Sequence, residues 1–251
     1  MRITKHPVSN TSSMYFEMLP ERNHILGALP KRVRDRLFQH LEEVDMPLGA
    51  VLDETGQKVR YAYFPVDSIV SLLYVMENGS SAEISVVGYE GLVGIPLFMG
   101  GESTPSRAVV QSAGRGYRIL GKRLVDEFNA HRELSVLVLR YIQSLMTQMA
   151  QTAVCNRHHS VDQQLCRWLL LSLDRLSGNH LVMTQKLIAN MLGVRREGVT
   201  EAACKLQKLG VIKYRRGHIE VLDRERLEQL SCECYAVVKK ETDRLLRPVP
   251  H

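Results

Sequence analysis

Side chains that could read the edges of base pairs cluster near residue 196. Arg195, Arg196 and Glu197 are consecutive, and Thr200 and Glu201 follow one helical turn later. An arginine guanidinium can bind guanine O6 and N7 through two hydrogen bonds, and a glutamate can accept one from cytosine N4. Basic side chains suited to phosphate oxygens follow along the chain, and they are Lys205, Lys208, Arg215 and Arg216.

Two short helices joined by a tight turn are predicted to position these residues. Apolar residues recur at helical spacing between residues 187 and 209. Ala189 is small enough to let two helices approach, and Gly193 can take the positive φ that the turn requires. Thr184 can cap the first helix and also reach a phosphate. The pattern is typical of a helix-turn-helix, whose second helix enters the DNA major groove.

A β-hairpin is predicted directly after the second helix, which makes a winged helix. Residues 211–214 and 218–221 have strand character, and Arg216-Gly217 is a turn signal, so Arg215 and Arg216 lie at the hairpin tip. Residues 184–221 hold eight Lys or Arg against three Glu, a net charge of +5, whereas the whole chain carries +6. This concentration of positive charge predicts double-stranded DNA as the partner.

The remaining sequence divides by composition and period. Residues 1–20 read as a polar, flexible arm. Residues 21–132 hold short apolar runs between glycines, which favours an antiparallel, jelly-roll-like β-roll. A helical pattern without glycine or proline extends from Lys122 to Arg157, and we assign residues 133–158 to one long helix. Residues 159–226 hold the winged helix and 227–251 a C-terminal helix or tail, so the predicted fold class is α+β. The apolar runs of the roll are AVLDE, YAYFPV, SIVSLLYVM, AEISVV, RAVVQS and GYRIL.

The long helix is predicted to pair with the same helix of a second chain. An apolar stripe of this length either docks on its own domain or pairs with a copy, and pairing supplies the two-fold symmetry that DNA half-sites require. The predicted contacts of this homodimer are Leu134, Leu137, Val138, Tyr141, Leu145 and Met149.

Composition argues against several other classes of protein. The five cysteines are scattered, and Cys232 and Cys234, the one close pair, lack the spacing of zinc or iron–sulfur ligands, so no metal is predicted. His158 and His159 are interpreted as residues of a helix junction. The sequence holds no phosphate loop, G-x-S-x-G or HExxH motif, so we do not expect an enzyme. The absence of a membrane-length apolar run and of a signal peptide predicts a cytoplasmic protein.

The order of these elements resembles that of the Crp/Fnr family of bacterial transcription regulators. The motif that carries the resemblance is Thr184-x3-Ile188-Ala189-x2-Leu192-Gly193-x2-Arg196-Glu197-x-Val199, within a similarity covering roughly residues 25–225. It implies a roll that binds cyclic nucleotide or descends from a cyclic-nucleotide binder, a dimerising helix and a DNA-reading winged helix. RNA polymerase would be a further partner if the protein activates transcription. Glu201 stands where the family has arginine, so its usual half-site is not expected.

The effector pocket of the family is altered in this chain. Family members that bind cyclic AMP carry a Gly-Glu pair and an Arg-Ser/Thr-Ala triplet. Here Gly94 occupies the glutamate position, Arg107 is displaced by one residue, and Glu90 lies four residues early. Cyclic AMP is therefore not expected, and these three residues are candidates for binding another ligand, including a dinucleotide.

The cofactors of other relatives are not expected either. No cysteine precedes Cys155, which argues against the family's N-terminal iron–sulfur centre, and His131 alone does not indicate haem. The sequence thus predicts a homodimeric, sequence-specific transcription regulator without a known cofactor. The alternative is a non-specific or architectural DNA-binding protein whose sensor domain is vestigial or binds a different ligand.

Overall fold

The computed structural model describes residues 19–246, so the predicted arm of residues 1–20 lies almost entirely outside the described part. A 3-10 turn spans Pro20–Arg22. The helices are α1 (His24–Gly27), α2 (Lys31–Phe38), α3 (Pro96–Met99), α4 (Gly121–Ala130), α5 (Arg132–His158), α6 (Val161–Leu173), α7 (Gln185–Leu192), α8 (Arg196–Lys208), α9 (Arg224–Leu230) and α10 (Glu233–Leu245). The strands are β1 (Glu42–Met46), β2 (Val51–Asp53), β3 (Tyr61–Pro65), β4 (Ile69–Val75), β5 (Ser81–Val87), β6 (Ser106–Ser112), β7 (Gly114–Leu120), β8 (His180–Val182), β9 (Ile212–Arg215) and β10 (His218–Val221).

Strands β1 to β7 form an antiparallel roll of two sheets. One sheet has the order β1-β7-β3 and the other the order β2-β6-β4-β5. The six glycine-bounded apolar runs of the sequence coincide with β2 to β7, which confirms the predicted roll. The sequence pattern does not predict β1, because Glu42, Glu43 and Asp45 interrupt it and only Met46 is buried.

The roll encloses one of the two large hydrophobic cores. Helices α1, α2, α4 and α5 contribute to it together with both sheets. Among its fully buried side chains are Leu26, Leu37, Phe64, Ile119, Leu124 and Leu134. Asn23 ties α1 to the roll, because its side chain caps that helix and its amide donates to the carbonyl oxygens of Pro65 (3.0 Å) and Gly91 (2.8 Å). Burial of an amide is stabilising only when it is hydrogen-bonded in this way.

The helical pattern of residues 122–157 forms two helices, not one. His131 takes an extended conformation (φ −126°, ψ 107°) and separates α4 from α5. Helix α5 then lies against the roll, where a methyl group at Gly91 would overlap the Tyr141 ring. Glycine at position 91 therefore permits the close approach of α5.

This docking corrects the predicted dimer contacts. The side chains assigned to a second copy belong to the protomer's own core; Leu134, Leu137, Val138, Tyr141 and Leu145 are buried there, and Met149 packs against the same cluster. A second chain cannot contact the five buried side chains in this arrangement. Met149 is only partly buried, and its assignment to an intermolecular contact stays a prediction. The apolar stripe on this face of α5 therefore docks on its own domain and does not pair with a second chain.

The second core holds the C-terminal part against the outer face of the roll. It combines Trp168 and the leucines of α6 with residues of α7 to α10 and with Ile69, Leu73 and Val86 of β4 and β5. Strands β8, β10 and β9 form a small antiparallel sheet, and α10 packs along α5. None of the helices within residues 19–246 has the length and apolarity needed to cross a membrane.

Candidate nucleic-acid interface

Helices α7 and α8 form the predicted helix-turn-helix. Thr184 caps α7, since its side-chain oxygen accepts a hydrogen bond from the Leu187 amide (3.3 Å). Gly193 ends the helix with φ +66°, and the Val194 amide donates to the Ala189 carbonyl oxygen (3.0 Å). This is the backbone geometry in which glycine costs least. Val199 is fully buried between the two helices, so the turn and its packing follow the sequence prediction.

Helix α8 presents an exposed face away from the core. Its buried residues are Val199, Ala202, Ala203 and Leu206. The side chains exposed on the other side include Arg196, Glu197, Glu201, Cys204 and Lys208, and Arg195 precedes the helix as its N-cap residue. A helix with this exposure fits a DNA major groove side-on.

Strands β9 and β10 form the predicted hairpin wing. Arg215 pairs with His218, and the two residues between them, Arg216 (φ 51°) and Gly217 (φ 84°), both have positive φ. Two such residues are the signature of a type I′ hairpin turn, which holds the Arg216 side chain at the tip. Both arginines are exposed, as the sequence predicts.

Tyr214 fixes the wing to the rest of the domain. Its hydroxyl donates to the Met183 carbonyl oxygen (2.7 Å), and its amide donates to Gln207 Oε1 of α8 (2.6 Å). Burial raises the pKa of the Tyr214 phenol to about 12, so the hydroxyl stays a hydrogen-bond donor at neutral pH. The wing is thereby held at a fixed position relative to α8.

A cleft of about 500 Å³ separates the wing from the helices. The sequence-predicted residues that line it are Thr184, Arg196 and Arg216, and Lys186, Gln207 and Tyr214 line it as well. Lys186 is a cation that the sequence reasoning did not include, although its position two residues after the Thr184 cap was available as a signal. Positive charge at a helix N-terminus and in a cleft favours a phosphate group.

Two of the predicted DNA contacts are engaged elsewhere in the protomer. The Thr200 hydroxyl donates to Gln185 Oε1 (2.9 Å) and lies 3.0 Å from the Arg196 carbonyl oxygen, so it crosslinks α7 and α8. The Lys205 ammonium forms an ion pair with Asp162 of α6. Thr200 is thus half-buried and less available to DNA than its spacing indicates, whereas Lys205 stays exposed despite its ion pair.

The three candidate effector residues do not form one site. Glu90 is buried in an ion pair with Arg175 of the segment after α6 (2.8 Å), whereas Arg107 pairs with Glu54 (3.1 Å) on the outside of the roll. Gly94 has φ +113° and packs against the backbone of Tyr61 and Ala62. A cavity of about 660 Å³ between the roll, α6 and α10 is lined by Glu90 but by neither Gly94 nor Arg107. The expectation that these residues share a ligand is corrected accordingly.

A group of cysteine and histidine side chains that the sequence reading treated as scattered is brought together in the fold. Cys155, His159, Cys232 and Cys234 place their Sγ and ring nitrogen atoms within 4.8 Å of one another. The available signals were a Cys-x3-His spacing at the end of one helix and a Cys-x-Cys spacing at the start of another helix.

Comparison with known proteins supports the same architecture. Residues 163–230 match the family model of the Crp-like helix-turn-helix domain. These residues form a Crp-like helix-turn-helix domain. The matched segment contains α7, α8 and the wing, so the cleft and the exposed face of α8 both belong to the Crp-like domain.

Solved structures extend the similarity to the rest of the chain. A Crp/Fnr-family protein from Eubacterium rectale superposes with a TM-score of 0.65 at 16% identity, covering 82% of this chain and 96% of that one. FixK2 from Bradyrhizobium japonicum gives 0.64 at 15% identity, with 76% and 98% covered. The c-di-GMP-responsive regulator CLP from Xanthomonas campestris gives 0.61 at 17% identity, with 76% and 99% covered. The chain therefore has the fold of Crp/Fnr regulators. No curated protein matches it in sequence.

Proposed function

We propose that this chain is a homodimeric, sequence-specific DNA-binding transcription regulator. The observation that carries the proposal is the basic cleft of the Crp-like domain, where Thr184, Arg196 and Arg216 converge beside the exposed face of α8. Thr184 and Arg216 suit a phosphate of the DNA backbone, whereas Arg196 and the exposed face of α8 suit the bases beside it.

Each part of the interface has a distinct task in this proposal. Arg196 and Glu197 in the first turn of α8 read base edges, because a recognition helix contacts bases through its N-terminal residues. Arg215, Arg216 and Lys208 neutralise phosphates on either side. Thr184 positions the domain through its hydroxyl and the free amides at the N-terminus of α7.

Two exposed carboxylates give α8 its own base preference. Glu197 and Glu201 lie one turn apart on the exposed side of the helix. Carboxylate oxygens only accept hydrogen bonds, so they select bases with an exocyclic amino group in the major groove, above all cytosine. They also repel phosphates, which lowers affinity for DNA lacking the right bases. Selectivity for a cytosine-containing half-site is the expected outcome.

The homodimer is proposed to form through the face of α5 opposite the roll. After the inward face is assigned to the core, an exposed stripe remains along the helix, and it consists of Leu139, Gln143, Met146, Ala150 and Ala153. Its four- and three-residue steps are those of a two-stranded coiled coil. Leu139 is 56% and Met146 61% exposed in the protomer, apolar surface that a second α5 would cover.

Cyclic AMP is not the proposed effector. A carboxylate for the ribose and an arginine for the phosphate are the expected partners of that ligand, and here Glu90 and Arg107 are each held in an ion pair in different places.

Selection of binding sites from random duplex DNA, at physiological salt, tests the proposal. The expected result is an enriched two-fold motif with half-sites about one helical turn apart. Arg196→Ala is the matched variant, and it should lose the enrichment while keeping general DNA affinity. Binding without any enriched sequence, unchanged by adding cyclic mono- or dinucleotides, would favour the architectural alternative.

A further inference from the structure

Four metal-ligating side chains meet where the end of α5 approaches the start of α10. Cys155 lies in the last turn of α5 and His159 directly follows the helix, whereas Cys232 and Cys234 lie at the N-terminus of α10. Cys155 Sγ is 3.6 Å from Cys232 Sγ, and Cys234 Sγ is 3.6 Å from His159 Nδ1. Since all four donor atoms lie within 4.8 Å of one another, one ion can contact all of them.

The spacing of the donor atoms fits a single tetrahedral zinc ion. Zinc binds thiolate sulfur at about 2.3 Å and imidazole nitrogen at about 2.0–2.1 Å, so a regular tetrahedron has S–S edges of about 3.8 Å and S–N edges of about 3.6 Å. The Cys155–Cys232 and Cys234–His159 pairs, both 3.6 Å, match these edges. Iron–sulfur clusters distribute their cysteines over several irons and need more widely separated ligands.

The burial of the site is that of a closed structural centre. Cys155, Cys232 and Cys234 are 0%, 5% and 1% exposed and form a cluster separate from the two large cores. A full set of four protein ligands leaves no open position for water or substrate, as in zinc sites that stabilise a fold. Three buried thiols gathered in one place, without a disulfide, are consistent with shared coordination.

The histidine is oriented as a zinc ligand requires. While Nδ1 faces Cys234 Sγ, Nε2 lies 3.3 Å from Glu233 Oε2. A ligating imidazole keeps its proton on the nitrogen that faces away from the metal and donates it to a carboxylate or carbonyl. Glu233 is therefore a positioning residue for His159.

A buried cation balances the charge of the site. Three thiolates and one Zn²⁺ leave a net charge of −1. Arg167 of α6 is 5% exposed, and its Nε and Nη1 atoms have no hydrogen-bond partner among the described residues, although Nη2 donates to Thr152 (3.2 Å). Thr152 lies three residues before Cys155 on α5, which places the guanidinium on the side of the cluster. A buried guanidinium is tolerated best beside such a negative group.

We propose that Cys155, His159, Cys232 and Cys234 bind one Zn²⁺ ion in a closed tetrahedral site. Binding replaces the three thiol protons, which leave to solvent, and no electron is transferred. The ion joins α10 to the end of α5, immediately before the junction that leads into α6 and the Crp-like domain. It thereby fixes the C-terminal helix at the base of the DNA-binding part.

Metal analysis of the full-length protein, purified in reducing buffer, tests the site. We expect one zinc per chain by mass spectrometry of the elements. After exchange, one Co²⁺ per chain should give the absorption bands of tetrahedral cobalt with sulfur-to-cobalt charge transfer. Cys234→Ser and His159→Gln should reduce zinc content at least tenfold. Cys204→Ser, which removes an exposed cysteine outside the cluster, should retain it.

Several results would overturn the proposal. The first is an unaltered protein that does not bind one Co²⁺ per chain in reducing buffer. The second is a protein that contains iron and sulfide in place of zinc. The third is an equal metal content in the Cys234→Ser and Cys204→Ser variants. The cobalt titration of the unaltered chain decides the question even where a ligand variant fails to fold. Because metal content is measured without DNA, its failure and that of the proposed regulator are distinguishable.

Glu233→Gln tests the orientation of the histidine. Loss of such a carboxylate partner is expected to weaken metal affinity 10- to 100-fold without removing a ligand. Competition with a chromophoric chelator measures the affinity, and Glu228→Gln, an exposed carboxylate on α9, is the matched control. Equal affinities for the two variants would contradict the positioning role of Glu233.

Discussion

At the scale of single residues, the proposed interface assigns different roles to arginines at different positions in the Crp-like domain. Arg196 lies in the first turn of α8, which is proposed to read bases, whereas Arg215 is exposed near the wing tip. Removal of an arginine side chain is therefore expected to affect DNA binding differently at the two positions.

Arg196→Ala should weaken binding to the selected site by about 1–3 kcal/mol, because a two-pronged contact to a base is lost. Arg215→Ala should weaken binding to all sequences alike and reduce the slope of log K against log salt by about 1, because one phosphate contact is lost. Fluorescence anisotropy with specific and random duplexes over a range of salt concentrations measures both. Identical behaviour of the two variants would contradict the assigned roles.

Glu83 makes the stability of the chain depend on pH. It is buried between the roll and α6, where desolvation raises the pKa of its carboxyl from the ordinary 4.5 to about 7, although the Ser71 hydroxyl donates to it (2.5 Å) and the charges of Arg167 and Arg175 lower it. Between those pH values the folded chain keeps a proton that the unfolded chain has released. The free energy of unfolding therefore falls as pH rises through this window.

Glu83→Gln should remove that dependence. Relative to that of the unaltered chain, the free energy of unfolding of the variant should rise by on the order of 3 kcal/mol between pH 4.5 and 7. Above pH 7 the difference between the two chains should level off. Urea denaturation at a series of pH values measures the free energy of unfolding of both chains. A stability difference that does not change with pH would show that Glu83 keeps an ordinary pKa in the folded chain.

At the scale of elements, α5 has two apolar faces with different uses. One face is buried in the roll, and the other carries the exposed stripe of Leu139 and Met146. Met146→Asp places a charge on the stripe and should convert the proposed dimer to a monomer, because two aspartates would face each other across the two-fold axis.

Sedimentation analysis measures the state of association of this variant. Met76→Asp is the matched control, because Met76 is similarly exposed (65%, against 61% for Met146) but lies in the turn between β4 and β5. A Met146→Asp chain that still sediments as a dimer would place the interface elsewhere.

At the scale of the whole molecule, a buried ion pair joins the roll to the Crp-like domain. Glu90 Oε1 accepts from Arg175 Nε (2.8 Å), and the Arg175 side chain lies across Gly88, where a Cβ would come within 2.8 Å of it. Around the pair, Tyr89 donates to the Asp174 carbonyl oxygen (3.1 Å) and Gln111 donates to Ser172 (3.0 Å). The polar groups between the roll and the Crp-like domain thus satisfy one another's hydrogen bonds.

Arg175→Met should reduce the free energy of unfolding by about 3–5 kcal/mol, because it leaves the Glu90 carboxylate buried without its partner. The double variant Glu90→Leu/Arg175→Met should recover most of the loss. Lys58→Met, which breaks the exposed pair with Glu102 (2.8 Å), should cost less than about 1 kcal/mol in the same urea experiment. If Arg175→Met and Lys58→Met lose equal free energy of unfolding, Glu90 and Arg175 are not coupled.

The sequence alone determined those features that depend on neighbouring residues. The Thr184 cap, the Gly193 turn and the Arg216-Gly217 hairpin follow from backbone preferences and hydrogen bonds within a few residues. The strands β2 to β7 follow from apolar runs bounded by glycine. The short strand β8 and the charged strand β1 cannot be predicted in this way. They are strands because they pair with a neighbouring strand, and their own composition does not indicate it.

Only the tertiary structure decided which distant residues meet. An apolar helix stripe does not reveal whether it faces its own domain or a second chain, so the inward face of α5 was assignable only once the roll was in place. Glu90 and Arg175 are 85 residues apart in the chain, and Cys155 and Cys232 are 77 apart. Such contacts arise from the way in which the roll, α5 and α10 pack together. A local sequence pattern does not encode them, because the two residues of each contact lie on different elements.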